Sequence, residues 1–139
     1  HNLMLGIVAQ TLAEITVLAE RETPPRSAFL EFINSSVMGS VFTGYKTPAI
    51  VNLDYTPTFT GHLLRKDFEL GLDAARELNV PLPTAALVHQ LVTQMIGHGL
   101  GDKDFMALLE VEARGAGYQL EPENVPVSDG LEPVDEEAG

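Results

Sequence analysis

The sequence predicts an all-α protein, with a single helical domain of about six helices over residues 1–118 and an acidic tail over residues 119–139. In several segments, apolar residues recur at spacings of three and four, which is typical of amphipathic helices. No long run of alternating or β-branched residues indicates a sheet. With 139 residues, 45% of them hydrophobic, the chain can form one domain with a sizeable core but is too short for two.

The first helix is predicted over residues 2–21. Its expected buried seam consists of Leu5, Val8, Leu12, Ile15 and Leu18. Other apolar residues surround this seam, so the helix needs cover on more than one side. We expect a second subunit or a further domain to supply that cover. The segment lacks a basic start and contains polar residues, which argues against a signal peptide or a membrane span.

Two shorter helices are predicted next. Thr23 is the expected N-cap of the second helix, with proline in its first turn, and the helix should end near residues 34–36. A third helix should begin at Gly39-Ser40 and extend to about residue 50, with Pro48 kinking or ending it. Residues 52–58 then form a loop.

The central helix is predicted over residues 59–78, with Leu64, Phe68, Leu72 and Ala75 on its buried face. Its charged residues lie off that stripe. From the charge pattern alone, the simplest interpretation is a solvated face with local ion pairs.

Two more helices are predicted, over residues 83–98 and about 103–114. Asp102 and Asp104 are both suited to the positive end of the last helix. From residue 121 the chain has seven acidic and no basic residues, together with several prolines. Such a segment buries too little apolar surface to offset its ordering entropy, so we expect the tail to be disordered.

Composition excludes several function classes. The net charge of −12 argues against a nucleic-acid partner, because phosphate binding requires clustered basic residues. No membrane partner is expected either. The absence of cysteine excludes disulfides and is compatible with a cytoplasmic protein. The spacing of His62, His89 and His98 does not predict a metal site, no histidine or acid is placed to activate a serine, and no Gly-x-Gly-x-x-Gly segment is present.

Four segments in order resemble the C-terminal domain of β-hydroxyacid dehydrogenases, the 3-hydroxyisobutyrate dehydrogenase-like family. The run Leu64-Arg65-Lys66-Asp67 with Leu70-Gly71 is similar to the family's L-x-K-D-x-x-L-A segment. The other three are residues 2–20, residues 33–40 and residues 55–59. The resemblance covers about residues 2–117 and implies the helical fold of the 6-phosphogluconate dehydrogenase C-terminal domain.

The resemblance implies roles for four residues. Lys66 matches the lysine that reaches the nicotinamide end of NAD or NADP, and Phe59, seven residues before it, matches an aromatic near cofactor and substrate. Asn2 matches a substrate-binding asparagine, and Asp67 follows the matched lysine and is assigned to the substrate. The family's general acid/base lysine would fall before residue 1. The cofactor would be bound mainly by a domain that these residues do not include.

The implied parent is an NAD(P)-dependent dehydrogenase that oxidises a small 3-hydroxy acid by hydride transfer and forms a homodimer through this domain. These 139 residues alone are expected to be inactive. One alternative is an imine-reductase-like domain, which shares the architecture but usually lacks the Lys-Asp pair. Another is a noncatalytic helical dimerisation module.

Overall fold

The computed structural model describes residues 1–132, and within them it confirms the predicted all-α class. The described chain forms six α-helices and contains no β-strand, only an isolated bridge between Thr60 and Asp104. A short 3-10 turn, Phe105–Ala107, precedes the last helix. The helices are α1 (Asn2–Glu22), α2 (Arg26–Ser35), α3 (Val41–Asn52), α4 (Gly61–Glu77), α5 (Pro83–Gly97) and α6 (Leu108–Gly115).

Helix α1 lies at the centre of the fold, where it packs against α2, α4, α5 and α6. Its buried face consists mainly of small residues, among them Gly6, Ala9, Ala13 and Thr16. A Cβ on Gly6 would lie 2.5 Å from the Phe68 ring, so glycine permits this close approach of α1 and α4.

The predicted seam of α1 is wrong for two of its five members, while Leu5 and Val8 are half-buried. Leu12 is buried, but the Leu18 side chain is 66% exposed and Ile15 is also exposed. Small residues at the contact allow close helix packing, and the side chains of Ile15 and Leu18 point outward. By length and mean hydropathy (1.5), α1 could span a membrane, a test that core helices of globular proteins also pass.

The helix ends differ from the prediction at three places. Thr23 ends α1, and Pro25 is the N-cap residue of α2. Helix α3 begins with the predicted Ser40 cap but continues through Pro48 to Asn52. Asp104, rather than the exposed Asp102, caps the last helical segment by accepting a hydrogen bond from the Met106 amide (2.9 Å).

A buried ion pair joins α3 to the 3-10 turn. The Lys46 ammonium lies 2.8 Å from both carboxylate oxygens of Asp104 and 2.9 Å from the Thr58 hydroxyl. It also lies 4.4 Å from the centroid of the Phe105 ring. Burial lowers the pKa of Lys46, while the Asp104 carboxylate acts in the opposite direction. Asp104 also accepts a hydrogen bond from the Thr58 amide, so the pair fixes the loop before α4.

That loop, residues 53–60, is fixed at its other end by Tyr55. The Tyr55 hydroxyl donates a hydrogen bond to Glu110 on α6 (3.0 Å), and its carbonyl accepts one from the Asp104 amide (3.0 Å). Burial and the neighbouring Glu110 carboxylate both raise the pKa of the Tyr55 phenol. The path of the chain into α4 is thus determined by buried polar contacts.

The acidic segment after α6 has no helix or strand over its described part, but the expectation of disorder is wrong for its beginning. Leu120 is buried, and the carbonyl of Glu121 accepts a hydrogen bond from the buried Arg26 side chain. Glu123 contacts α2, and Val125 pairs with Asn52 at the end of α3. The prediction of disorder rested on amino-acid composition, which carries no information about these contacts with α2 and α3. Residues 133–139 of the predicted tail lie outside the described residues.

Candidate functional site

Two of the predicted site residues, Asn2 and Asp67, are brought into direct contact. The Asn2 amide nitrogen donates a 2.6 Å hydrogen bond to a carboxylate oxygen of Asp67, across 65 positions of sequence. Asn2 is the first residue of α1, and Asp67 lies on α4 where the two helices pack. The Asp67 side chain is 22% exposed. A partly buried carboxylate and an amide therefore share one polar surface at the N-terminal end of α1.

The oxygen and the nitrogen of the Asn2 side-chain amide each have a hydrogen-bond partner, which fixes the orientation of the amide. Its oxygen lies 3.1 Å from Nδ1 of His1, while its nitrogen faces Asp67. This leaves the second carboxylate oxygen of Asp67 directed toward Lys66. The arrangement can accept a hydrogen bond from a hydroxyl group of a small polar ligand and hold that ligand's orientation.

Lys66 lies beside this pair and is largely exposed. Its side chain is 63% exposed, and its ammonium is 3.9 Å from the Asp67 carboxylate. A contact of that length at the surface contributes little to stability and leaves the ammonium able to bind an anionic or amide group. By contrast, Arg76 pairs closely with Asp73 (3.0 Å), as the solvated-face interpretation predicted.

Phe59 is positioned by the core. Its ring meets the Phe105 ring edge-on with 6.2 Å between centroids, and its carbonyl accepts a hydrogen bond from the Phe105 amide (3.0 Å). Phe59 is half-buried, so part of its surface remains accessible at the start of α4. Its role near a cofactor stays a prediction.

The strongest polar cluster of the domain was not predicted from the sequence. Lys46 and Asp104 are separated by 58 positions, and no local pattern of the sequence indicates that they pair. Both are almost fully buried and fully hydrogen-bonded, so they have a structural role rather than access to a ligand. Among residues 1–132, no cluster of three or more histidine and acidic residues is arranged to hold a metal ion.

The surface that carries Asn2, Asp67 and Lys66 is open. Two clefts of about 610 and 560 Å³ lie elsewhere, one beside Tyr55 and Glu110 and the other between α2 and residues 125–128. The predicted site residues line neither cleft. They form part of a surface that a second element could complete.

Comparisons with known proteins identify the relatives of this chain. Residues 1–111 match the family model described as NAD-binding of NADP-dependent 3-hydroxyisobutyrate dehydrogenase. The chain is 30% identical over 118 residues to the mitochondrial 3-hydroxyisobutyrate dehydrogenase of Drosophila melanogaster, covering 80% of this chain and 36% of the relative. It is 33% identical over 121 residues to 2-(hydroxymethyl)glutarate dehydrogenase of Eubacterium barkeri, covering 86% of this chain and 40% of the relative.

A solved structure shows the same helical arrangement. The crystal structure of a 3-hydroxyisobutyrate dehydrogenase from Salmonella typhimurium superimposes with a TM-score of 0.75 and 27% identity, covering 80% of this chain and 39% of that one. The chain thus spans well under half the length of the relatives to which it is similar.

Proposed function

Because the chain belongs to the family whose model describes the NAD-binding region of NADP-dependent 3-hydroxyisobutyrate dehydrogenase, we propose that it is the helical domain of an NAD(P)-dependent 3-hydroxyacid dehydrogenase. The observation that carries this proposal is the contact between Asn2 and Asp67 beside the exposed Lys66. These are three of the residues to which the resemblance assigned cofactor or substrate contacts.

The proposed reaction transfers hydride from the carbon bearing the hydroxyl to nicotinamide and releases the hydroxyl proton, giving a carbonyl compound. NAD or NADP supplies the hydride acceptor when bound. The exposed Lys66 ammonium is suited to hold the nicotinamide end by donating hydrogen bonds. Asn2 and Asp67 are suited to orient the hydroxy acid, because an amide and a carboxylate together fix the direction of a hydroxyl. We assign proton transfer to none of these residues.

A chimeric enzyme tests the role of Lys66. Residues 2–139 replace the matched region of L-threonate dehydrogenase from Escherichia coli K12, which is 27% identical over 111 residues. We expect hydroxyacid-dependent formation of reduced nicotinamide, and in Lys66→Ala a loss of kcat/KM of about a hundredfold or more, since a positioning charge near the reacting atoms is removed.

Lys103→Ala is the matched control, because Lys103 is an exposed lysine that is not one of the four predicted site residues. It should leave kcat/KM unchanged. An active chimera whose Lys66→Ala variant keeps full activity would refute the assignment.

We also expect residues 1–139 without the fused part to be inactive, because they contain no glycine-rich dinucleotide-binding segment. Hydroxy acid turnover by this chain alone would contradict that expectation.

We further propose that this domain forms a homodimer through the outward face of α1. Met4 and Leu18 are 70% and 66% exposed, and Ile15 is exposed between them along the helix. At about 100° per residue, these three side chains project within roughly 60° of one another. A stripe of large apolar side chains on one exposed face is typical of a protein–protein contact.

Light scattering over a dilution series tests the dimer. We expect twice the mass of one chain, and in Leu18→Asp a dissociation constant raised by about a hundredfold, because a carboxylate would be desolvated in the contact. Leu78→Asp is the control, since Leu78 is equally exposed but lies at the end of α4. A folded monomer at all concentrations would refute the proposal.

A further inference from the structure

The segment that follows α6 contacts α2 and α3 through its backbone at every second residue. The Arg26 guanidinium donates a hydrogen bond to the carbonyl of Glu121. The amide of residue 123 donates to the carbonyl of Val51 (3.2 Å). Residue 125 makes two hydrogen bonds with the Asn52 side chain, from its amide to Oδ1 (3.2 Å) and from Nδ2 to its carbonyl (2.8 Å).

This spacing is that of an extended peptide bound on a surface. Alternate residues of an extended chain present their backbone to one side, so contacts at positions 121, 123 and 125 come from one edge. A side-chain amide that bonds both the N–H and the C=O of one residue fixes the position of the peptide along its length. Leu120 adds an apolar anchor, because its side chain is buried.

One acidic side chain is recognised specifically. The Glu123 carboxylate accepts hydrogen bonds from the Ser27 amide (3.2 Å) and hydroxyl (2.7 Å) in the first turn of α2. The N-cap residue of α2 is Pro25, which offers no side-chain acceptor, so Glu123 satisfies an amide that would otherwise lack a partner. A carboxylate at a helix N-terminus is also favoured by the helix dipole. The neighbouring Glu121 side chain is exposed and is not used in this way.

We propose that the N-terminal end of α2 and the C-terminal end of α3 form a docking site for an extended acidic peptide, occupied in this chain by its own residues 120–125. We call this surface the peptide-docking face; it consists of Arg26, Ser27, Val51 and Asn52. It lies on the side of the domain formed by α2 and α3, whereas the proposed dehydrogenase residues lie on α1 and α4. The docked peptide also lies beyond residues 1–111, which match the family model.

A nicked form of the full chain tests whether the segment is a separable ligand. A protease recognition sequence inserted after α6, between the exposed Gly117 and the half-buried Tyr118, allows cleavage without removing any residue. We expect the 118–139 fragment to remain bound after cleavage and to co-elute with the helices at micromolar concentration. Its complete release at every concentration would overturn the proposal.

Matched variants test the recognition of Glu123. In the nicked chain, Glu123→Gln should weaken retention about tenfold, because a charge-assisted hydrogen bond is lost, whereas Glu121→Gln removes the same charge and should have no effect. Equal effects of the two variants would show attraction by net charge alone and would overturn the specific site. In the Leu18→Asp background, which removes the proposed dimer contact of α1, retention only in particles of twice the mass would assign the peptide to a second copy and would overturn occupation within one chain.

Hydrogen exchange in the uncut chain supplies a measurement that does not depend on the insertion. The amides of residues 123 and 125 donate hydrogen bonds to α3, whereas the amide of residue 124 makes none among the described residues. We expect slow exchange at 123 and 125 on either side of fast exchange at 124, and about tenfold faster exchange at 125 in Glu123→Gln. Uniformly fast exchange over residues 121–125 would overturn docking.

Discussion

Replacement of Lys46 by methionine is expected to lower the free energy of unfolding by about 3–5 kcal/mol. The substitution keeps most of the side-chain volume but removes the only ammonium within hydrogen-bonding distance of Asp104 among the described residues. Asp104 would then be a buried carboxylate without a counter-charge. The 3-10 turn and the loop before α4 both depend on that carboxylate, since the Thr58 and Met106 amides donate to it.

Chemical denaturation measures the effect, and a double variant identifies its cause. In Lys46→Met/Asp104→Asn, the asparagine oxygen can still accept a hydrogen bond from the Thr58 or Met106 amide, and no buried charge remains. We therefore expect the double variant to recover at least 1 kcal/mol relative to Lys46→Met alone. The exposed Lys103→Met is the control and should change stability by less than about 0.5 kcal/mol. A Lys46→Met protein as stable as the parent would show that the pair contributes nothing to the fold.

Helix positions were predictable from the sequence because each helix carries its own apolar periodicity, whereas the faces that pack were harder to predict. Periodicity identified Leu64 and Phe68 as buried, and both are. For α1, the largest apolar residues suggested a seam that the structure exposes at Ile15 and Leu18. The helix packs instead through Gly6 and its small neighbours, because the Phe68 ring occupies the space that a side chain at that position would need.

The candidate site was predictable only in part. The resemblance placed Asn2 and Asp67 in the same site, and the structure brings their side chains into contact, although their roles stay predictions. Asp104 was predicted as a helix-capping residue, but its pairing with Lys46 was not, because contacts between residues so distant in sequence arise from packing rather than from local pattern. The composition of residues 119–125 predicted disorder because the segment offers little apolar surface to bury, whereas Arg26 and Asn52 supply partners for its backbone.

Replacement of Arg26 by methionine is the second change expected to lower the free energy of unfolding by about 3–5 kcal/mol. The Arg26 side chain is fully buried and joins four parts of the chain. It pairs with Glu20 on α1 and donates hydrogen bonds to the carbonyls of Ile50 (2.7 Å) and Val51 (2.9 Å) in the last turn of α3. A positive charge at a helix C-terminus is favourable, so Arg26 also stabilises the end of α3.

Arg26→Lys separates charge from geometry. A lysine keeps the positive charge but lacks the planar fork that reaches two carbonyls and a carboxylate together, so we expect an intermediate loss of about 1–3 kcal/mol. The exposed Arg76→Met should be nearly neutral. Glu123→Gln, which loosens only the docked peptide, should cost less than about 1.5 kcal/mol. A different result would contradict this assignment. If Glu123→Gln lowered the free energy of unfolding as much as Arg26→Met, the stability of this part of the domain would come from the docked peptide and not from the junction of α1, α2 and α3 at Arg26.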